Sequence, residues 1–197
     1  MENGIAKPMA SEIANSAVSH GLRTAGIVLA GTALVAVCSH ITLPLWFTPV
    51  PLTLQPFAVV LLGLLLRPRL AAATLGTYLI EGAMGLPVFA PGLIFGAGMA
   101  HLLGPTGGYL LSYPAAAALI AFLFKRRTRG FATALFSAAA GNAAILICGF
   151  AWLAVWTHGS IKTAFALAVL PFLPGDALKV VAAAAIAKGI ERVRHHQ

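Results

Sequence analysis

An acid and a base stand three residues apart near the C-terminal end of the chain, within the segment from Pro171 to Lys179. Positions i and i+3 share one face of a helix, so Asp176 and Lys179 can present an acceptor-only carboxylate beside a donor-only ammonium group. The residues from Val180 to Ala187 are all apolar. Charges at the head of a buried or membrane-embedded helix are costly and usually functional, which favours a ligand-binding pair. The alternative is a local ion pair at a helix start.

Proline and glycine interrupt the chain immediately before this pair. Pro174 and Gly175 are expected to end the preceding apolar segment, and Asp176 is a favourable N-cap for the helix that follows. Residues 163–172 and 176–188 would then form the two halves of one discontinuous helix. Helices of that kind build binding sites at membrane depth.

A proline-rich apolar segment covers residues 41–55 and ends in polar side chains. Its three prolines forbid a regular helix, and irregular apolar backbone is tolerated at a membrane where it is buried or lines a cavity. Thr53 and Gln55 are therefore candidate ligand contacts. As alternatives, Thr53 would cap the next helix, and Gln55 would be hydrated at the membrane–water interface.

Three further polar residues fall within long apolar runs. Tyr78 and Glu81 stand three residues apart and are candidate ligand contacts. As alternatives, Tyr78 would be an ordinary interfacial aromatic, and Glu81 would reach water from a position near the membrane boundary. Asn142 follows Gly141 in the middle of a later run, which indicates either a ligand contact or a hydrogen bond between helices.

Residues 87–108 are rich in glycine and proline yet apolar, which predicts a packed lid with a short re-entrant helix.

The composition is that of a polytopic membrane protein. Of the 197 residues, 59% are hydrophobic and 9% are charged, and the mean hydropathy is +0.91. Twenty glycines suit close packing between transmembrane helices. The two cysteines, Cys38 and Cys148, lie in apolar runs and indicate small buried hydrophobes, with nothing that argues for a disulfide or a metal site.

The apolar runs predict an all-α fold with six transmembrane helices. The expected division of the chain is an N-terminal cytoplasmic tail or surface helix (1–21), a six-helix membrane domain (22–190) and a C-terminal cytoplasmic tail (191–197). The net charge of +8 is concentrated at breaks between the runs, above all at residues 125–129. That pattern is typical of cytoplasmic loops and argues against a nucleic-acid partner, so both termini are expected in the cytoplasm.

Other classes of function have less support in the sequence. The glycine-rich stretch from Gly104 to Leu110 superficially resembles a phosphate-binding loop, but no Gly-Lys-Ser/Thr triplet occurs in the chain. An intramembrane enzyme would need a nucleophile–base pair at recognisable spacing, and the lone histidines lack metal-ligand spacing. A channel would need a polar stripe along its pore. We therefore expect no enzymatic activity, no cofactor and no metal, with the intramembrane enzyme and the channel as weaker alternatives.

With these residues in view, the chain resembles the BioY family, the biotin-binding S components of energy-coupling factor (ECF) transporters. The matching segments run in order from the second predicted span to the last: Pro49 to Gln55, Tyr78 to Ala90, Gly104 to Leu110 and Pro171 to Lys179. The resemblance implies an S-component-like six-helix bundle in a bacterial cell (inner) membrane. The vitamin would bind near the outer face, under the loops that join the first two helices and the third and fourth.

The resemblance also implies a function and partners. The chain would be the high-affinity biotin-binding subunit of a vitamin uptake transporter, with another small vitamin as the alternative substrate. A transmembrane coupling subunit and a pair of ABC-type ATPases would supply the energy. Small residues on the first helix are the docking surface expected in that family, and Gly26 and Ala30 are the nearest match here.

Biotin would require both polar and apolar partners. Its ureido group has two N–H donors and a carbonyl, so Asp176 suits the donors and Lys179 suits the carbonyl or the carboxylate. Aromatic residues such as Phe47, Phe89 and Trp152 would supply apolar walls or, equally, core packing. The predicted substrate-binding residues are Thr53, Gln55, Tyr78, Glu81, Phe89, Thr106, Asn142, Asp176 and Lys179.

Overall fold

The computed structural model describes residues 6–91, 98–126, 130–158 and 160–195, with side chains described between residues 18 and 193 of these ranges. This part of the chain is helical apart from loops and one short antiparallel hairpin, in which Thr42 pairs with Thr53 and Leu43 pairs with Leu52. In chain order the elements are α1 (Ala6–His40), β1 (Thr42–Leu43), β2 (Leu52–Thr53), α2 (Gln55–Leu65), α3 (Pro68–Ala83), α4 (Met99–Leu103), α5 (Gly107–Arg126), α6 (Phe131–Trp156), α7 (Ile161–Ala168) and α8 (Leu173–His195). The predicted all-α membrane class is confirmed.

Three of the described helices are long and apolar enough to cross a membrane, namely Val18–His40 within α1, together with α5 and α6. The bent pair α7 and α8 makes a fourth if it is one span. Helices α2 and α3 match the second and third predicted spans, but they have only 11 and 16 residues, and a full crossing needs about 20. The count of six crossing helices therefore stays a prediction, as do the limits of the terminal tails.

Helix α2 lies in the interior of the bundle, where it packs against α1, α5, α6 and α8. All of its residues from Ala58 to Leu64 are buried, because a short helix without charged residues can be surrounded on every side. Pro56 stands in its first turn, where the missing N–H of proline costs nothing. As a result, the polar N-terminal end of α2, at Gln55, is also carried into the interior.

Glycines allow α5 and α6 to approach closely. A β-carbon on Gly108 would lie 2.2 Å from Cβ of Trp152 and 2.6 Å from the carbonyl oxygen of Cys148. A β-carbon on Gly149 would lie 2.2 Å from the ring of Tyr109. Helix α6 runs unbroken through Gly141 and Asn142, so the asparagine projects from a regular helix.

The break before the Asp176–Lys179 pair lies earlier than the sequence predicts. Helix α8 begins at Leu173, and the N–H of Asp176 donates to the carbonyl of Phe172 at 2.8 Å, so Asp176 is inside the first turn. The prediction that Asp176 is the N-cap was wrong. Pro174 is accommodated in that turn because the first N–H groups of a helix have no intrahelical acceptor. The two predicted halves are present as α7 and α8, with a bend of 46° between them.

The end of α3 directs the following chain back over the bundle. Gly85 has φ +94°, its N–H donates to Gly82, and the N–H of Leu86 donates to Glu81, which together form a Schellman motif. Residues 86–90, which we call the cover segment, lead away from this turn and end in buried Phe89 and Ala90. The predicted short helix of the lid is α4, and residues 92–97 of the predicted lid lie outside the described residues.

Two alanine substitutions test whether the α5–α6 approach holds the bundle together. Gly108→Ala places a methyl group against Cβ of Trp152 and the carbonyl oxygen of Cys148, and it is expected to cost at least about 1–3 kcal/mol of stability through overpacking. Gly76→Ala, on α3, meets no atom within 4 Å and should leave stability unchanged or raise it by about 0.5–1 kcal/mol. Thermal unfolding of both variants in detergent makes the comparison. Equal melting temperatures would show that the two helices can separate without loss.

Candidate functional site

A pocket opens where the N-terminal ends of α2, α5 and α8 converge. The space among its lining atoms is about 520 Å³ when the open mouth of the pocket is counted. The remaining walls come from α4, α6, the hairpin and the cover segment. The lining residues are Val50, Pro51, Thr53, Gln55, Pro56, Ala90, His101, Thr106, Tyr109, Leu110, Tyr113, Ile145, Leu146, Phe172, Asp176 and Lys179.

One wall of the pocket carries a buried ion pair. The Nζ atom of Lys179 lies 2.9 Å from Oδ1 of Asp176, and the two residues are 8% and 4% exposed. The pair stands one helical turn apart at the start of α8, as the spacing predicts. An ammonium group has three N–H donors, and the carboxylate takes one of them. Lys179 therefore keeps donor capacity for a molecule in the pocket.

Asn142 holds the second oxygen of the carboxylate. Its Nδ2 donates to Oδ2 of Asp176 at 3.1 Å, which joins the middle of α6 to the start of α8. The Oδ1 atom of Asn142 is buried without a hydrogen-bond partner in the described part of the chain. Asn142 does not line the pocket. The contact shown is therefore the interhelical hydrogen bond, one of the two roles expected of this residue.

A neutral polar cluster forms another wall. Gln55 is 4% exposed, and its Nε2 donates to the hydroxyl of Tyr78 at 2.6 Å. The hydroxyl of Thr53 donates to Oε1 of Gln55 and accepts from its backbone N–H, both at 3.3 Å. Thr53 thus lines the pocket and also holds the first backbone N–H of α2.

The structure brings five of the nine predicted site residues to the pocket, and the other four lie behind or beside it. Thr53, Gln55, Thr106, Asp176 and Lys179 line it. Tyr78 is fully buried behind Gln55, Phe89 is a residue of the cover segment that packs against α3, and Asn142 contacts the carboxylate from behind. Glu81 is half-buried on α3 outside the lining. The roles of all nine in binding stay predictions.

Phe47 and Trp152, which the sequence suggested as apolar walls of the site, lie away from the pocket. Phe47 is 43% exposed in the loop of the hairpin. The indole N–H of Trp152 donates to the carbonyl of Gly104 at 2.8 Å, so this side chain braces the turn before α5. Neither residue lines the pocket.

Sequence reasoning missed the aromatic face of α5. Tyr109 and Tyr113 follow Thr106 at helical spacing, i+3 and i+7, which would have identified this face once α5 was placed. The hydroxyl of Tyr109 donates to the carbonyl of Ala168 at 2.7 Å, whereas that of Tyr113 has no hydrogen-bond partner within the described residues. Tyr113 therefore offers a free donor and acceptor at the pocket.

His101 also lines the pocket, from the short helix α4. Its ring stacks on Phe89 with centroids 5.2 Å apart, and burial lowers the pKa of its imidazole. A neutral imidazole has one donor and one acceptor nitrogen. Within the described parts of the chain, no group of three or more His, Cys, Asp or Glu side chains is placed to hold a metal ion.

These features define what the pocket can bind. Apolar walls from Val50, Ile145, Leu146 and Phe172 suit a hydrophobic ring system or chain. The charged and neutral clusters supply acceptors and donors on two sides, so a small molecule with both N–H groups and carbonyl or carboxylate oxygens would be satisfied. The arrangement is that of a binding site for a compact amphipathic molecule.

Comparisons with known proteins identify the family of this chain. The model of the BioY family matches residues 9–196. A probable biotin transporter BioY of Pyrococcus horikoshii is 43% identical over 143 residues, 73% of this chain and 82% of that protein. The biotin transporter BioY of Thermotoga maritima is 38% identical over 162 residues, 82% of this chain and 92% of that protein.

A solved structure has the same fold. It is the crystal structure of the S-component for biotin from an ECF-type ABC transporter, with a TM-score of 0.80 and 25% identity. The match covers 88% of this chain and 93% of that one. The S-component-like bundle expected from the sequence is confirmed.

The buried pair makes a prediction about stability. Asp176→Asn or Lys179→Met alone leaves a buried charge without its partner and is expected to cost about 3–5 kcal/mol, while the double variant should recover most of the loss. Lys188→Met is the matched control, because Lys188 pairs with Glu191 at the same spacing on α8 but both side chains are more exposed. It should cost less than about 1 kcal/mol.

Melting temperatures of the four variants in detergent, without ligand, decide the point. Single variants as stable as the unchanged protein would show that the ion pair contributes nothing to the unliganded fold.

Proposed function

The chain belongs to the BioY family of transporters, and from that premise we propose that it is the high-affinity biotin-binding subunit of an ECF-type uptake transporter. The observation that carries the proposal is the buried Asp176–Lys179 pair in the wall of a pocket whose other walls are mainly apolar. The relatives named as biotin transporters and the solved S-component for biotin support it. The proposed role is binding and transport, without enzymatic turnover.

The chemistry of biotin suits the two polar walls. The carboxylate of Asp176 accepts hydrogen bonds, as ureido N–H groups require, and Lys179 donates to a carbonyl or carboxylate oxygen. Gln55, Thr106 and Tyr113 add neutral partners at the pocket. The bicyclic ring and the aliphatic tail suit the walls formed by Ile145, Leu146 and Phe172. Another small vitamin with N–H and carboxylate groups is the alternative ligand.

The proposed partners are a transmembrane coupling subunit and a pair of ABC-type ATPases. Transport against a gradient requires an energy source, and the sequence holds no Gly-Lys-Ser/Thr loop for a nucleotide phosphate. The similar S-component belongs to an ECF-type ABC transporter. Nucleotide hydrolysis is accordingly assigned to separate chains.

The proposed location is a bacterial cell membrane, with both termini in the cytoplasm. Basic residues stand at the C-terminal ends of α2, α5 and α8, at Arg67, Arg126 and Arg192 respectively. The pocket lies at the opposite, N-terminal ends of these helices. Because basic residues favour the cytoplasmic side, this arrangement supports a pocket that opens to the outside.

Biotin should bind to the purified protein with a nanomolar dissociation constant, equivalent to about 12 kcal/mol. Asp176→Asn should weaken binding roughly ten- to a hundredfold, because a charge-assisted hydrogen bond is worth about 1.5–3 kcal/mol. Glu81→Gln, outside the pocket, is the matched control and should bind as the unchanged protein does. Calorimetry with biotin and a panel of other vitamins gives the measurement. Millimolar affinity for biotin beside tight binding of another vitamin would refute the substrate.

The protein alone should bind biotin in lipid vesicles without concentrating it. Accumulation against a gradient needs free energy, and a sequence without a Gly-Lys-Ser/Thr loop is not expected to draw it from a nucleotide. Uptake of radiolabelled biotin is measured with and without ATP inside the vesicles, before and after addition of the coupling subunit and ATPases. ATP-independent accumulation by the pure protein would contradict the proposal, whereas slow equilibration across the membrane would not.

A further inference from the structure

Residues 86–90, the cover segment, are fastened to the bundle at one backbone group. The carbonyl of Val88 accepts from the hydroxyl of Tyr78 and lies within hydrogen-bond distance of the hydroxyl of Ser39, each at 2.8 Å. Ser39 is at the C-terminal end of α1 and Tyr78 is on α3, so two helices converge on this carbonyl. Ala90, two residues later, lines the pocket.

The next residue is inserted into a tight aromatic seat. Phe89 contacts Tyr78 edge-on, with ring centroids 5.5 Å apart, and stacks on His101 at 5.2 Å. A β-carbon on Gly82 would lie 2.0 Å from the Phe89 ring, so the ring lies directly on the backbone of α3. The seat and the carbonyl contact together hold the cover segment beside the pocket.

The proton order around Tyr78 follows from the chemistry of its neighbours. A carbonyl oxygen can only accept, so the single proton of the Tyr78 hydroxyl points to Val88. The atom of Gln55 that lies 2.6 Å away must then donate, which makes it the amide nitrogen. The amide oxygen is left on the branch beside Thr53, another residue that lines the pocket.

We propose that Tyr78 is a positioning residue that couples the pocket wall to the cover segment. Its hydroxyl fixes the Gln55 amide so that the pocket is offered an acceptor oxygen, and the same hydroxyl fastens the cover segment through Val88. The inference rests on the proposed function for the identity of the ligand, but not for the fastening itself. Tyr78, behind the wall, acts through Gln55 and not by touching the ligand.

The coupling has a physical basis because consecutive hydrogen bonds that run in one direction strengthen one another. A ligand N–H that bonds to the Gln55 oxygen polarises the amide and strengthens donation from its nitrogen. That donation in turn makes the Tyr78 hydroxyl a better donor to Val88. A bound ligand with an N–H group at this wall would therefore hold the cover segment more firmly, and the fastened segment would slow its departure.

The fastening is tested first without any ligand, by hydrogen exchange of the backbone amides of Val88, Phe89 and Ala90 in the full chain. Tyr78→Phe keeps the ring and its contact with Phe89 but removes the hydroxyl, so exchange should become roughly tenfold faster, as for the loss of one buried hydrogen bond. Thr74→Val is the matched control, since Thr74 is also fully buried on α3 but donates within its own helix, to Leu70. Its exchange should stay within about threefold of the unchanged protein.

The coupling is tested by the dissociation rate of biotin. Tyr78→Phe and Gln55→Met should each raise that rate about tenfold, and the double variant should be little faster than the faster single one, because both break the same chain. Gln55→Met leaves the bond from Tyr78 to Val88 intact, so exchange without ligand should be unchanged in this variant. Biotin at saturation should slow exchange of the cover segment in the unchanged protein and not in Gln55→Met.

The outcomes separate the two claims. Unchanged exchange in Tyr78→Phe, or an equal increase in Thr74→Val, would overturn the fastening. Additive effects of the two variants on the dissociation rate, or full biotin-dependent protection in Gln55→Met, would overturn the coupling. If Tyr78→Phe does not fold, the biotin-dependent protection measured in Gln55→Met still decides whether the pocket and the cover segment are coupled. Absence of biotin binding in the unchanged protein would refute the proposed function, and the exchange measurements without ligand would stand.

Discussion

A carboxylate and an ammonium group lie almost out of reach of water in the interior of a bundle built from apolar helices, and the surrounding structure serves to keep both satisfied. Asp176 has an opposite charge on one oxygen and an amide donor from α6 on the other. Leaving either group unpaired in such surroundings would cost several kcal/mol. The pairing therefore requires that α6 and the start of α8 stay in register, and the glycines between α5 and α6 allow the close packing that maintains this register.

The depth of the pocket follows from two departures from a regular membrane helix. Helix α2 has only 11 residues, so its polar N-terminal end at Gln55 lies inside the bundle. Helix α8 begins after a 46° bend, and its first turn lines the same pocket as the start of α2. The N-terminal ends of helices carry unpaired N–H groups and a partial positive charge, which favours the carboxylate of Asp176 in the first turn of α8. Apolar loops and helix starts thus build the site, while the long helices α5 and α6 support it.

Much of the fold and part of the site could be predicted from the sequence, because they depend on local patterns. The spacing of Asp176 and Lys179, and the position of Thr53 and Gln55 after a proline-rich segment, are readable along the chain and lead to residues that line the pocket. The N-cap assigned to Asp176 was wrong, since proline is equally suited to a first helical turn and the sequence does not reveal which residue begins the helix.

The residues that local reasoning misplaced differ from these in a physical way. Tyr78 is three positions from Glu81 on one helix, yet neither lines the pocket, because the distance of a helix face from the cavity depends on how the helices pack. Tyr109 and Tyr113 were overlooked for the same reason. The order of protons from Gln55 to Val88 joins residues that are 10 and 23 positions apart in sequence, and it is visible only when the acceptor at its end is known.

The two polar walls of the pocket have different physical tasks, and the difference follows from their charges. The Asp176–Lys179 pair is neutral as a whole, so the empty pocket holds no uncompensated charge, and the free N–H donors of Lys179 can bond to a ligand without breaking the pair. This wall can supply affinity. The wall of Thr53 and Gln55, with Tyr78 behind it, carries no charge, and its side-chain hydrogen bonds run in one direction to a backbone carbonyl. Under the coupling proposed above, such a wall would favour a ligand donor over a ligand acceptor, because an acceptor beside the Gln55 oxygen would leave two lone pairs opposed.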